Sequence, residues 1–139
     1  KPGFECRHNL NYWRFGDYLG IGCGAHGKLT NGTTGIIQRT VKVKHPKGYL
    51  DPARAYLDEC WTVGADELPF EYFMNRFRLF EAVPKHEFSQ RTGLGETSVA
   101  ARLQEAIQDE LLLDCGESWQ VTELGHRYLN RLLQLFMDA

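Results

Sequence analysis

CRHNLNYWRFGDYLGIGCGAHG, residues 6–27, sets two unlike patterns side by side. The first gathers His8, Asn9, Tyr12 and Trp13, and the second places Gly20, Gly22, Gly24 and Gly27 in one short run. Glycine fills no core and loses more chain entropy on folding than any other residue. Such a density marks tight backbone geometry or close approach of another group. Crowded backbone is the plainer reading and a ligand site the sharper one. Residues His8 to Tyr18 suit about three turns of helix with Leu10, Trp13 and Tyr18 on one side. Tyr18 to Ile21 then reads as a short buried strand ending in the glycines.

Outward from this stretch, Asn31-Gly32 signals a turn, and Thr33 to Val43, rich in Thr, Ile and Val, reads as one or two strands. Pro46 and Gly48 interrupt it. Tyr49 to Glu59 suits a short helix with Pro52 in its first turn, and Cys60 to Gly64 a brief strand. Near residue 65 the periodicity turns helical and the charge changes sign. Residues 1–65 hold nine Lys or Arg against five Asp or Glu, whereas residues 66–139 hold seven against thirteen. A domain boundary is expected there, giving 1–65 and 66–139.

Beyond it, Leu68, Phe70, Tyr72, Phe73, Phe77 and Phe80 form a broad apolar face on a helix that starts near Asp66 and ends before Pro84. That face reads as core rather than as a cofactor box. Pro84 to Thr92 suits a short helix with Phe88 inward and Gly93 as its stop. Thr97 or Ser98 is the expected N-cap of the next helix, along which Val99, Leu103, Ile107 and Leu111 recur every four residues. Leu111–Cys115 and Trp119–Val121 read as two strands joined at Gly116–Ser118. Thr122 caps a last helix that buries Tyr128, Leu129, Leu132, Leu133, Leu135 and Phe136.

Helix, short helix, helix, two-strand wing and closing helix is the order of a winged-helix domain, and the whole chain reads as α+β. In a DNA-binding version the helix at 97–111 would meet phosphate. It carries Glu105, Asp109 and Glu110, with Glu96 just before it, against Arg102 alone. Such a surface repels nucleic acid, which favours a structural or protein-contacting module.

At 139 residues and a net charge of −2, the chain suits one domain or one with an appendage. Cys6, Cys23, Cys60 and Cys115 are far apart, with no CxxC and no signal peptide, so free thiols in a reducing cytoplasm are expected. No apolar run approaches the ~20 residues that span a bilayer, so any membrane contact would be peripheral. The start at KPGFECRHN, without initiator Met or targeting pattern, reads as a cut from something longer.

Gly22, Gly24 and Gly27 match GxGxxG, but no helix follows and Thr40 to Lys44 stand where the ribose-binding acid belongs, so the dinucleotide reading fails. Cys6 with His8, or Cys23 with His26, lacks the partner pair that zinc needs. His8 is more informative. A neutral imidazole can ligate iron, Tyr12 lies one helical turn away, and two large aromatics suit a flat apolar ligand. The bland alternative is a hydrogen-bonded structural histidine. His45, His86 and His126 stand apart from any constellation.

Taken together, CRHNLNYW, GDYLGIGCGAHG, EYFMNRFRL and the closing winged-helix segment resemble the C-terminal part of the radical-SAM oxygen-independent coproporphyrinogen III oxidase family, nearest its haem chaperone branch, over essentially the whole chain. HNxxYW is the most telling motif. The resemblance implies a parent with an incomplete (β/α) barrel holding a [4Fe-4S] cluster and S-adenosylmethionine. Residues 1–65 would then be remnant strands and helix at the barrel edge, and 66–139 the winged-helix-like domain. The family's cluster cysteines occur as CxxxCxxC, a spacing this sequence lacks, so radical chemistry is not expected of this chain by itself.

Carried over by residue, His8 matches the haem-binding histidine, with Asn9, Tyr12 and Trp13 completing the motif. Gly22, Gly24, Ala25 and His26 fall where the oxidase branch approaches S-adenosylmethionine. The implied activity is binding haem and passing it to acceptor haemoproteins. The alternative within the family is oxidative decarboxylation of coproporphyrinogen III through a 5′-deoxyadenosyl radical. Unpaired barrel edges seek partners, so self-association or partial disorder before residue 66 is also expected.

Overall fold

The computed structural model describes residues 7–137, except for the side chain of His8; Cys6 lies outside the described residues. In chain order the elements are helix α1 (Arg7–Trp13), strands β1 (His26–Thr30) and β2 (Ile37–Lys42), helix α2 (Pro46–Tyr49), strand β3 (Leu57–Thr62), helix α3 (Leu68–Arg76), strand β4 (Val83–Pro84), helices α4 (Lys85–Thr92) and α5 (Ala100–Gln108), strands β5 (Leu112–Asp114) and β6 (Ser118–Val121), and helices α6 (Glu123–Arg127) and α7 (Leu129–Gln134). The class is α+β, with two three-stranded antiparallel sheets among the described residues. No described helix is long and apolar enough to cross a membrane.

Two compact units divide the chain: Gly16–Val63, and the segment ending at Phe15 joined to the segment from Gly64 onward. The helix read as part of residues 1–65 therefore lies in the later unit. Burial of Phe15 against Tyr72 and pairing of Arg14 with Glu81 put it there.

In the unit Gly16–Val63 the strand order is β1-β2-β3. Ile37, Val41, Val43 and Val63 form its core. The Asn31 turn is as the sequence implies: its Oδ1 accepts the amides of Thr33 and Thr34 at 2.9 and 3.0 Å, closing an Asx turn between β1 and β2.

Two expectations are corrected. Tyr18–Ile21 is no buried strand; Tyr18 forms an isolated bridge with Lys28, and Leu19 and Ile21 are 72% and 86% exposed. The bridge makes residues 19–25 the reversal of the chain, so β1 begins after Gly20, Gly22 and Gly24 and takes in Gly27. Nor is Tyr49–Glu59 a helix. The helix stops at Tyr49, Pro52 disfavours helical backbone at the residue before it, and β2 instead captures Leu57–Thr62.

In the other unit, Phe73 of α3 is the centre of the core. Its ring stacks with Phe77 at 4.6 Å and Phe88 at 5.4 Å and meets Phe136 at 4.4 Å and Trp119 at 6.0 Å. Tyr72, Phe73 and Phe77 of the aromatic series are core, as their spacing implies, whereas Phe70 is half-buried and Phe80 departs further. That residue lies past the end of α3, is 75% exposed and stacks on His126 at 4.1 Å. The small sheet has the order β4-β6-β5, with Val83 opposite Trp119 and Leu112 opposite Val121.

Gly93 ends α4 in the left-handed region, and Thr122 caps α6 by accepting the Gly125 amide at 2.8 Å. The expected cap at Thr97 or Ser98 does not form. Glu96–Val99 is a 3-10 turn in which the Ser98 hydroxyl donates to the Gly95 carbonyl at 2.7 Å, and α5 begins uncapped at Ala100. The closing helix is also broken. Tyr128 leaves helical geometry and is exposed, Leu129 and Leu135 are half-buried, and Leu132 and Leu133 of α7 enter the core with Phe136 just beyond it.

Candidate functional site

Helix α1 carries the HNxxYW segment. It has seven residues and no acidic side chain in its first turn, too little to persist on its own in water. Helical spacing sets positions 8 and 12 one turn apart, and likewise 9 and 13. Asn9 is exposed, and Tyr12 and Trp13 are half-buried. The side chain of His8 lies outside the described part.

What secures α1 follows immediately after Trp13. Phe15 adopts φ 64°, a conformation that costs a non-glycine residue about 1–2 kcal/mol. Burial of its ring, 1% exposed and edge-on to Tyr72 at 5.5 Å, offsets this by about 2–3 kcal/mol. Arg14 adds a two-pronged contact: Nε and Nη2 donate to the two carboxylate oxygens of Glu81 at 2.9 and 2.8 Å.

Glu81 is shared with Arg76, which is only 3% exposed. Nε of Arg76 donates to Glu87 on α4 at 2.8 Å, and the Tyr72 hydroxyl donates to the same carboxylate oxygen at 3.1 Å. Tyr72 thus supports Phe15 with its ring and Glu87 with its hydroxyl. Hydrogen bonds from Arg14, then from Arg76, hold the Glu81 carboxyl down at about 2 against its burial. Burial and the Glu87 charge push the Tyr72 phenol well up. Burial works against the Arg76 charge, but the two carboxylates outweigh it and raise its pKa. The network escaped the sequence reading; its one visible signal is an arginine within an otherwise apolar helix face.

The glycine segment lies in the other unit. Gly22 and Gly24 take φ 104° and 69°, which side-chain-bearing residues rarely adopt. The Gly22 amide donates to the Tyr49 hydroxyl at 3.0 Å, the Gly24 amide to the Val43 carbonyl at 2.9 Å, and the Ala25 amide to the Gly22 carbonyl at 3.3 Å. These three donors are thus committed within the chain. Ala25 is half-buried and His26 exposed at the start of β1. Below the loop, the 2% exposed Lys28 pairs with Asp17 at 3.0 Å, and Asp17 also accepts the Thr30 amide and hydroxyl at 2.9 and 2.8 Å. Burial opposes the Asp17 charge, but these hydrogen bonds prevail and lower its pKa.

Asn9, Tyr12 and Trp13 are therefore gathered on one helix, and Gly22, Gly24, Ala25 and His26 in one loop. Among the described residues no group of three His, Cys, Asp or Glu side chains could hold a metal ion, and Cys23, Cys60 and Cys115 are exposed. The described donor set does not fit a [4Fe-4S] cluster, which takes four thiolates or close substitutes.

Residues 63–128 match the model of the HemN C-terminal domain. Over that span the chain belongs to the HemN C-terminal domain family. The HemN C-terminal domain here takes in α3 through α6 with the β4-β6-β5 sheet; α1 and α7 belong to the same compact unit from outside the matched span.

Among curated proteins, "Heme chaperone HemW" of Haemophilus influenzae is 57% identical over 99% of this chain and 35% of its own length. The protein of the same name from Escherichia coli (strain K12) is 53% identical over the same shares. That of Mycobacterium tuberculosis is 38% identical over 90% of this chain and 30% of its own length. The chain thus spans about a third of the length of the curated relatives it matches. No solved structure matches it.

Proposed function

We propose that this chain is the C-terminal part of a haem chaperone that binds haem at α1 and delivers it to acceptor haemoproteins. The observation that carries the reading is identity of 57% across 99% of the chain to a protein named as a heme chaperone. The chemistry of HNxxYW supports it. A histidine offers an iron ligand, Tyr12 lies one turn along the same helical face, and the half-buried rings of Tyr12 and Trp13 offer apolar surface to a porphyrin. Asn9 supplies an exposed polar group beside them.

In the longer protein, a [4Fe-4S] cluster and S-adenosylmethionine would be held largely by residues outside this chain. Gly22, Gly24, Ala25 and His26 would form one margin of the S-adenosylmethionine site. Exposure of all six β3 residues suits a sheet that packs or pairs further, as a barrel-edge sheet would. The helix order and small antiparallel sheet from Gly64 onward suit a winged-helix-like domain. Its acidic α5 region disfavours nucleic acid as the partner.

Haem titration of the full-length protein tests the reading. The wild type is expected to give a Soret band, and His8→Ala to weaken binding by about tenfold or more with a shifted Soret maximum. An unchanged spectrum and affinity would remove His8 from the role.

A further inference from the structure

The residues that close α1, Arg14 and Phe15, are tied down by strong contacts that lead to one connected set of charges. Arg14 grips Glu81 with both prongs, Glu81 is shared with the buried Arg76, Arg76 is held by Glu87 of α4, and Glu87 also accepts from Tyr72, on whose ring Phe15 rests. The set begins one residue after the last position of HNxxYW. A seven-residue helix has no rigidity of its own to spare, so its orientation is set by what it is fastened to. Two ties at adjacent residues, one planar and bidentate and one a buried ring in a fixed backbone conformation, define a direction as well as an attachment.

We propose that Arg14 and Glu81 are positioning residues: they hold α1 at the angle on the Gly64–Ala139 segment at which its imidazole and aromatic side chains receive haem. This rests on the haem reading of α1 given above. It assigns the acidic segment a concrete task, to supply the carboxylates that anchor the ligand helix. It also explains why a guanidinium is buried in an aromatic core, since Arg76 keeps Glu81 charged and fixed in the place where Arg14 meets it. Arg14 and Glu81 are both partly exposed, at 46% and 34% of their side-chain surface, so Arg14 can be changed without opening the core.

The test uses the full-length protein as wild type, Arg14→Ala, Arg14→Lys and His8→Ala, with two readouts. Hydrogen exchange over residues 7–16, measured without haem, should show clear loss of protection in Arg14→Ala while residues 85–121 stay protected as in the wild type. Haem titration should show affinity lowered about tenfold and a displaced Soret maximum in Arg14→Ala. Arg14→Lys, which keeps the charge but loses the fork, should recover part of both. Unchanged protection over 7–16 in Arg14→Ala overturns the proposal. So does wild-type haem affinity in Arg14→Ala when His8→Ala binds poorly. If exchange responds as expected but the wild type gives no Soret band, the haem reading of α1 fails while the fastening of α1 by Arg14 stands.

Discussion

Gly125→Ala is expected to unfold the unit that contains residue 64 onward, or to lower its stability by more than about 3 kcal/mol. A Cβ at this position would lie 2.1 Å from the Leu111 carbonyl oxygen, 3.0 Å from its carbon and 2.7 Å from Val121 Cγ1. The first two atoms are backbone and cannot rotate aside. The Leu111 carbonyl is itself fixed, since it accepts the Thr122 amide at 3.1 Å, and the Thr122 hydroxyl both donates to Glu110 and accepts the Gly125 amide. Moving it would break the junction of β5, β6 and α6 at once. Gly93→Ala is the control. Its φ of 74° is unfavourable for alanine, but nothing lies within 4 Å of the added carbon, so about 1 kcal/mol is expected. Urea denaturation of the two variants checks the contrast. Equal losses would mean that the contact at Gly125 relaxes at little cost.

How much of this was legible in the sequence depended on how local the cause was. The aromatic series on α3, the Gly93 stop, the Asn31 turn, the β5–β6 hairpin and the Thr122 cap are each decided within a few residues, and each stands where its pattern implies. Errors arose where a distant partner decided. Tyr18–Ile21 is apolar enough for a strand, yet its pairing is limited to Tyr18 with Lys28. Leu57–Asp58 has helix-compatible neighbours, yet β2 draws it into a sheet. Phe80 continues an apolar series but falls beyond the last turn of α3.

The candidate site divides in the same way. HNxxYW and the glycines are visible as motifs because their residues are consecutive. The means of fastening α1 is not, because Arg14 and Glu81 are 67 residues apart and Arg76 and Glu87 lie on different helices. Nothing in spacing alone distinguishes a buried arginine with two carboxylates from one on a solvated face.

Glu87→Ala is expected to cost about 3–5 kcal/mol, the second large effect, because it strips the partner from a guanidinium that has no access to water. Arg76 is 3% exposed, and after the substitution only Glu81 would answer its charge, while the Tyr72 hydroxyl would lose its acceptor. Acid should act on the other carboxylate of the set. The folded pKa of Glu81, about 2, lies below its ordinary value of 4.5, so its contribution is full above pH 4.5 and is lost as the pH falls toward 2. Because Glu81 is about a third exposed, solvent screening limits that contribution to roughly 1–2 kcal/mol. Urea midpoints at pH 7, 4.5 and 2.5 should therefore fall steeply for the wild type between the last two values and less for Glu81→Gln, which has no proton to take up. If the two fall in parallel, the acid-sensitive carboxyl lies elsewhere, and the Arg14–Glu81 contact contributes far less to fastening α1 than its geometry implies.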